Sequence, residues 1–291
     1  MNNKNPATIK IFLPDGDPTG IKEAEVINWT GRSFVIPRKK FKDLNSDSYT
    51  VKQLSTPGIY FLIGEEDLKE DRVYVGEAED LYKRVNHHSR SGKDFWNKAV
   101  FFFSKDKNLT KAHVKFLESR IIDIISENNR VELENSNNSS RASLSRAEEA
   151  EMENYLKKVE LLMPALGYNY LKSLTDVEKS QRYYCTMQTK EVKGMGVLTN
   201  EGFVVLKGSL VHKEESNSFE NTAAKKLRGE LVEEEILKDN EKNYILKEDQ
   251  LLSSPSAAAS FVLGRSANGW TEWKTKDGKT LDEIEREEVE K

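Results

Sequence analysis

Two short runs of β-branched and aromatic residues, GIYFLIG at 58–64 and RVYVG at 72–76, flank a charged stretch, EEDLKED. Each run suits a strand, and the acidic, lysine-bearing stretch suits an exposed tip. The pattern predicts an antiparallel hairpin. From Asp80 to His88 it turns helical, with Glu79 and Asp80 placing negative charge near the helix start, where the helix dipole favours it. Residues 57–88 are therefore read as strand, strand, helix.

The same stretch brings chemistry with it. Tyr60 and Tyr74 fall on adjacent strands, where their hydroxyls can converge. Gly58 and Gly76 allow a close approach of backbone or ligand. Arg84 and His88 are four apart and share a helix face. Further on, Glu118 sits in a helical run starting near Asn108, with apolar positions at Val114, Leu117, Ile121 and Ile124 or Ile125. Taken singly, each group is an ordinary core or surface residue. Their order along one chain, in a strand–strand–helix context, is what singles them out.

Gly58-Ile59-Tyr60, Tyr74-Val75-Gly76, Arg84 with His88, and then Glu118 resemble the motifs of the GIY-YIG nuclease superfamily. The match covers roughly residues 56–138. Val75 stands where the family commonly has Ile, and the segment between the tripeptides is slightly longer than usual. The resemblance implies an α+β fold: a small mixed or antiparallel three-stranded sheet flanked by helices. It implies a metal-dependent endonuclease hydrolysing phosphodiester bonds, with Tyr60, Tyr74, Arg84, His88, Glu118 and an asparagine as the site. That asparagine is assigned to Asn135, with Asn137 as the second choice. Glu118 is the expected ligand of Mg2+ or Mn2+, a hard cation that keeps its waters and takes few protein ligands. Tyr60 or His88 is the expected base, the choice left open. A free phenol has a pKa of about 10 and needs a nearby cation such as Arg84 to act at neutral pH.

Overall charge, −4, says nothing for nucleic acid, but its distribution does. From Lys83 to Arg120 ten Lys/Arg face three Asp/Glu, a balance of +7, leaving −11 for the remainder. Positive charge concentrated around the proposed site is what a phosphate backbone requires. DNA is the expected partner, with RNA not excluded. A single cysteine, Cys185, rules out a disulfide framework and a cysteine zinc site. No apolar run is as long as a bilayer span, and MNNKNPATIKIFL lacks the apolar core of a secretion signal, so a soluble, cytoplasmic, bacterial-type protein with no membrane partner is expected.

Four regions are expected. Residues 1–48 form a β-rich N-terminal extension, with TIKIFL, AEVINW and RSFVIP as strands and a basic patch at Arg38, Lys39, Lys40 and Lys42. Residues 49–138 form the nuclease-like domain, including a buried third strand at Ala99–Phe103. Residues 139–175 are a linker and an amphipathic helix opened by a capping box at Ser145 and Glu148. Residues 176–291 form a separate C-terminal α+β domain, with a turn at Asn200-Glu201-Gly202 and a short apolar helix from Ser254 to Gly264. This last part resembles a small domain of unknown function found behind GIY-YIG domains in bacterial proteins, and it offers a surface for a protein partner. Trp270 and Trp273 suit either core packing or base stacking. The competing reading of the whole chain is a catalytically silent nucleic-acid-binding or regulatory protein on the same fold. Oligomeric state stays open.

Overall fold

The computed structural model describes residues 6–41, 43–44, 47–64, 71–90, 94–135, 142–172, 181–220 and 222–289. The chain is α+β and divides into two units after Lys172. In the first unit the elements run β1 Ile9–Phe12, β2 Lys22–Val26, β3 Gly31–Pro37, α1 Arg38–Phe41 and α2 Ser48–Leu54. They continue with β4 Gly58–Gly64, β5 Arg72–Ala78, α3 Leu81–Arg90, β6 Lys98–Ser104, α4 Lys111–Asn128, β7 Glu132–Leu133 and α5 Arg146–Ala165.

The strands form one seven-stranded sheet in the order β1-β2-β3-β6-β4-β5-β7. All pairs are antiparallel except β5 with β7. The expected three strands are its middle, β6-β4-β5. The expected N-terminal extension is not a separate preface: β3 pairs with β6 from Gly31↔Ser104 to Pro37↔Lys98, so its strands widen the same sheet. The reason lies in the alternation of β6. Ala99, Phe101 and Phe103 fill one face of the sheet, Val100 and Phe102 the other, so β6 is apolar on both faces and suits the middle of a sheet covered on both sides.

The two faces of the hairpin have different company. Ile59, Phe61, Ile63, Val73 and Val75 pack with Val114, Leu117 and Ile121 of α4 and with Leu156 and Val159 of α5. Tyr60 and Leu62 pack on the opposite face with Phe41, Leu81, Val85 and Trp96. Helix α5, expected as part of a linker region, belongs to the first of these cores together with Tyr168, Tyr170 and Leu171. Its Tyr155 hydroxyl donates to the Phe103 carbonyl at 3.1 Å. Its capping box forms as read, Ser145 accepting from the Glu148 amide and Glu148 from that of Ser145.

The second unit runs β8 Arg182–Met187, β9 Val192–Thr199, β10 Gly202–Val205, β11 Leu210–His212 and α6 Ala223–Glu233. Then come β12 Leu237–Asn240, β13 Asn243–Leu246, β14 Gln250–Leu252, α7 Pro255–Leu263, α8 Gly269–Glu272 and α9 Leu281–Val289. Its sheet has the order β12-β13-β11-β9-β10-β14, with β8 also on β9. Helix α7 is capped by Ser254, whose side chain accepts from the Ala257 amide. Trp273 is fully buried, with its indole N–H donating to the Pro255 carbonyl at 3.0 Å, whereas Trp270 is 41% exposed. Among the described residues no helix is long and apolar enough to cross a membrane.

Candidate active site

Asp80 opens α3 by accepting from the Lys83 amide at 2.9 Å. The helix then buries Leu81, Val85 and His88 against the sheet and leaves Arg84 at its solvent side. Tyr60 points at it from β4. Its hydroxyl lies 2.9 Å from His88 Nε2, and the two rings are 5.8 Å apart. Tyr74 completes the group from β5, with its ring 6.2 Å from that of Tyr60 and 5.7 Å from that of His88. The Arg84 guanidinium lies close enough to both phenols to feel them, and Tyr60 is the main reason its pKa rises. Four of the six expected residues, Tyr60, Tyr74, Arg84 and His88, thus form one cluster.

Gly76 is what lets Tyr60 lie there. A Cβ on Gly76 would sit 2.3 Å from Tyr60 Cζ and 2.4 Å from its hydroxyl. The space the second glycine opens is filled by the first tyrosine, not left for a ligand. Gly58 is likewise closed by protein, its Cβ position lying 2.4 Å from the Phe102 carbonyl.

Burial sorts the four groups. Tyr60 is fully buried and His88 is 6% exposed, while Tyr74 is half-buried and Arg84 exposed. Burial pushes the Tyr60 phenol well above its ordinary pKa, the neighbouring Tyr74 adds to this, and Arg84 opposes it. Tyr60 therefore holds its proton tightly. Tyr74 and Arg84 are the members of the cluster that face outward.

Asn135 does a backbone job. Its Oδ1 accepts from the Val75 amide at 2.9 Å and its Nδ2 donates to the Val75 carbonyl at 2.8 Å. It continues the edge that β7 begins, since β7 pairs only with Arg72 and Val73. Asn137 lies outside the described residues.

Glu118 is half-buried on α4, across the sheet from α3. Lys111, at the start of α4, ion-pairs with Glu79 at 3.2 Å, just past the end of β5, while β7, after α4, pairs with the beginning of β5. The helix therefore runs antiparallel to β5. Helix α4, which carries Glu118, packs against β5 and β4 from the other face of the sheet.

An open depression of ≈ 410 Å³ adjoins Arg84 and is lined also by Glu77, Glu79, Asp80, His87 and Lys111. The sequence reading missed Glu77, His87 and Lys111. Only His87, three residues from Arg84 on one helix, carried a signal, its helical spacing.

Four of the ten basic residues in 83–120 are answered by acids in space. Lys105 pairs with Glu25 at 3.0 Å, Lys111 with Glu79, Lys83 with Asp80 at 3.3 Å, and Arg120 with Glu153 at 2.7 Å. In the N-terminal basic patch, Arg38 pairs with Asp94 at 2.9 Å and stacks on Trp96, and Lys40 pairs with Asp15 at 3.0 Å. Lys42 lies outside the described residues.

No curated protein and no solved structure matches the chain. The nuclease-like stretch finds no family match either. Residues 183–285, in the second unit, are similar to a domain of unknown function, DUF4357.

Proposed function

We propose that the first unit is a GIY-YIG-type, divalent-metal-dependent endonuclease acting on DNA. The observation that carries this reading is the cluster itself: two phenols, a guanidinium and an imidazole, drawn from two strands and a helix, in mutual contact.

The donor set suits a magnesium-like ion. Among the described residues no group of three or more His, Cys, Asp and Glu forms a protein cage. Glu118 offers one hard carboxylate on the helix packed against β5, which is enough for an ion that keeps most of its waters. Bound there, the metal supplies charge neutralisation and a lowered water pKa. The chain's own residues do the rest. Arg84 clamps the phosphate. Tyr74, half-buried and outward, orients the attacking water. Tyr60 is too well buried to meet water directly; it holds His88 in place through the 2.9 Å contact. His88, which keeps 6% of its surface exposed, is the base that takes the attacking water's proton. Asn135 fixes the strand that carries Tyr74.

One observation favours the competing reading, a catalytically silent binding protein: the complete burial of Tyr60. A plasmid-nicking assay with Mg2+ or Mn2+ separates the two. Wild type should nick DNA, and Glu118→Ala and Tyr60→Phe should each lose about 100-fold or more. Binding without cleavage across both metals supports the silent reading. Equal cleavage by all three proteins rejects the assigned site. A parallel RNA substrate decides the nucleic acid.

A further inference from the structure

Strand β5 carries Tyr74 and Gly76, and its first residues are held from an unexpected quarter. Asp71, just before the strand, accepts a hydrogen bond from the Tyr170 hydroxyl at 2.5 Å. Tyr170 lies beyond the end of α5, in the last described stretch of the first unit. That stretch is fastened at two further points. Asn128 Nδ2 donates to the Tyr170 carbonyl at 3.1 Å, and Arg130 Nη1 donates to the Lys172 carbonyl at 3.1 Å. Tyr168, Tyr170 and Leu171 are buried in the core, with the two tyrosine rings 5.8 Å apart. The Asp71 carbonyl in turn accepts from the Glu132 amide at 3.0 Å, where β7 joins β5, and Arg72 pairs with Glu132 and Glu134.

We infer that the segment Tyr168–Lys172 is a strap that sets the position of β5, and that Tyr170 and Asp71 are positioning residues for the site. The inference rests on the hydrolytic reading above. An edge strand paired on its outer side over only two residues needs added restraint to hold a side chain within the few tenths of an ångström that catalysis demands. Asn135 supplies it at Val75, and Tyr170 supplies it at Asp71. The Tyr170 hydroxyl bonds Asp71, just ahead of the strand, and acts through the strand.

The test uses the full chain and four variants: Tyr170→Phe, Asp71→Ala, their combination, and Asp71→Asn. Phe keeps the buried ring, so the fold is retained. Amide hydrogen exchange in residues 71–78 should quicken about 10-fold in Tyr170→Phe, the usual worth of a hydrogen bond to a charged group, and stay unchanged in α3. In the nicking assay kcat should fall about 5- to 10-fold with KM within about 2-fold, the signature of a displaced catalytic group. Asp71→Ala should match it, and the double variant should be no worse than either single one. Asp71→Asn, which still accepts the bond, should restore most of kcat. Faster exchange with unchanged kcat makes the strap structural only and overturns the proposal. So does unchanged exchange. A wild type that never cleaves removes the hydrolytic reading and the positioning role together, whereas normal wild-type cleavage with unaltered variants removes the strap alone.

Discussion

Each unit has an arginine on a helix packed against its sheet, and the two have opposite surroundings. Arg228, on α6, is 2% exposed. Its Nε donates to the Phe261 carbonyl at 2.7 Å and its Nη2 to the same oxygen; Glu215 lies 3.5 Å from Nη1 and the Phe219 ring 4.8 Å from Cζ. Burial pushes its pKa down to about 10, with Glu215 opposing. Arg84, on α3, is exposed, and its neighbours are two phenol hydroxyls. A guanidinium fixed to a backbone carbonyl holds α6 to α7, with the Glu215 carboxylate beside it. A guanidinium beside the phenols opposes, without cancelling, the burial that keeps the proton on Tyr60. The proposed chemistry uses the second arrangement.

The largest expected effects split along that line. Arg84→Ala should lower nicking about 100-fold or more, roughly 3 kcal/mol of barrier, while shifting the thermal midpoint by little. Arg228→Ala should do the reverse: it empties a buried site, leaves the Phe261 carbonyl unpaired, and costs about 3 kcal/mol in denaturant unfolding of the second unit. Arg228→Met, which refills the space without a charge, should recover much of that loss. A variant at Arg84 that unfolds the first unit, or one at Arg228 that abolishes nicking in a fully folded chain, would break the contrast.

The contrast was only half legible in the sequence. The hairpin and the Arg84–His88 helix face could be read because strand and helix periodicities are local, and the residues involved lie within thirty positions of one another. The width of the sheet could not. Nothing in the alternation of RSFVIP names β6 as its neighbour, about seventy residues away, and the double-sided apolar pattern of β6 says that partners exist without saying which. The stripe of α5 was plain, but a stripe does not declare what it covers. Charge misled for the same reason. Ten basic residues crowd 83–120 in sequence, yet the acids that answer several of them, Glu25, Glu79 and Glu153, arrive from outside that window. In the second unit, Trp270 and Trp273 are the same residue type three positions apart. Only the start of α8 at Gly269, packed on the Pro255 backbone, decides which of them is core.

A smaller effect tests how tightly the first unit's cluster is built. Gly76→Ala would put a methyl carbon 2.3 Å from Tyr60 Cζ, and both are on paired strands that cannot both withdraw. Overpacking of this kind costs up to about 3 kcal/mol. The loss should shrink in the double variant with Tyr60→Leu, which removes the ring that the methyl meets. If Gly76→Ala is as stable as wild type by urea titration, the cluster is looser than its distances imply, and the comparison with the rigid Arg228 clamp loses its force.

The smallest effect reads the same contrast through proton binding. Cys185, on β8, is fully buried, and its thiol is pushed up to about 12, chiefly by burial, with Glu272 adding and Arg265 opposing. Tyr60 in the first unit is pushed the same way, but it has His88 and Arg84 for partners. A thiol whose folded pKa exceeds its unfolded value of about 8.5 favours folding fully below pH 8.5. As pH rises from there toward 12 the unfolded chain gives up its proton while the folded one keeps it, so stability falls by ~1.4 kcal/mol per pH unit. Cys185→Ala has no such proton to lose. Whatever fixed cost its small cavity carries, the gap between wild type and variant in urea unfolding should close by about 2 kcal/mol between pH 8.5 and pH 10. An unchanging gap would mean that β8 already admits water to the thiol at pH 10, and that the second unit's core is less closed than the clamp at Arg228 requires.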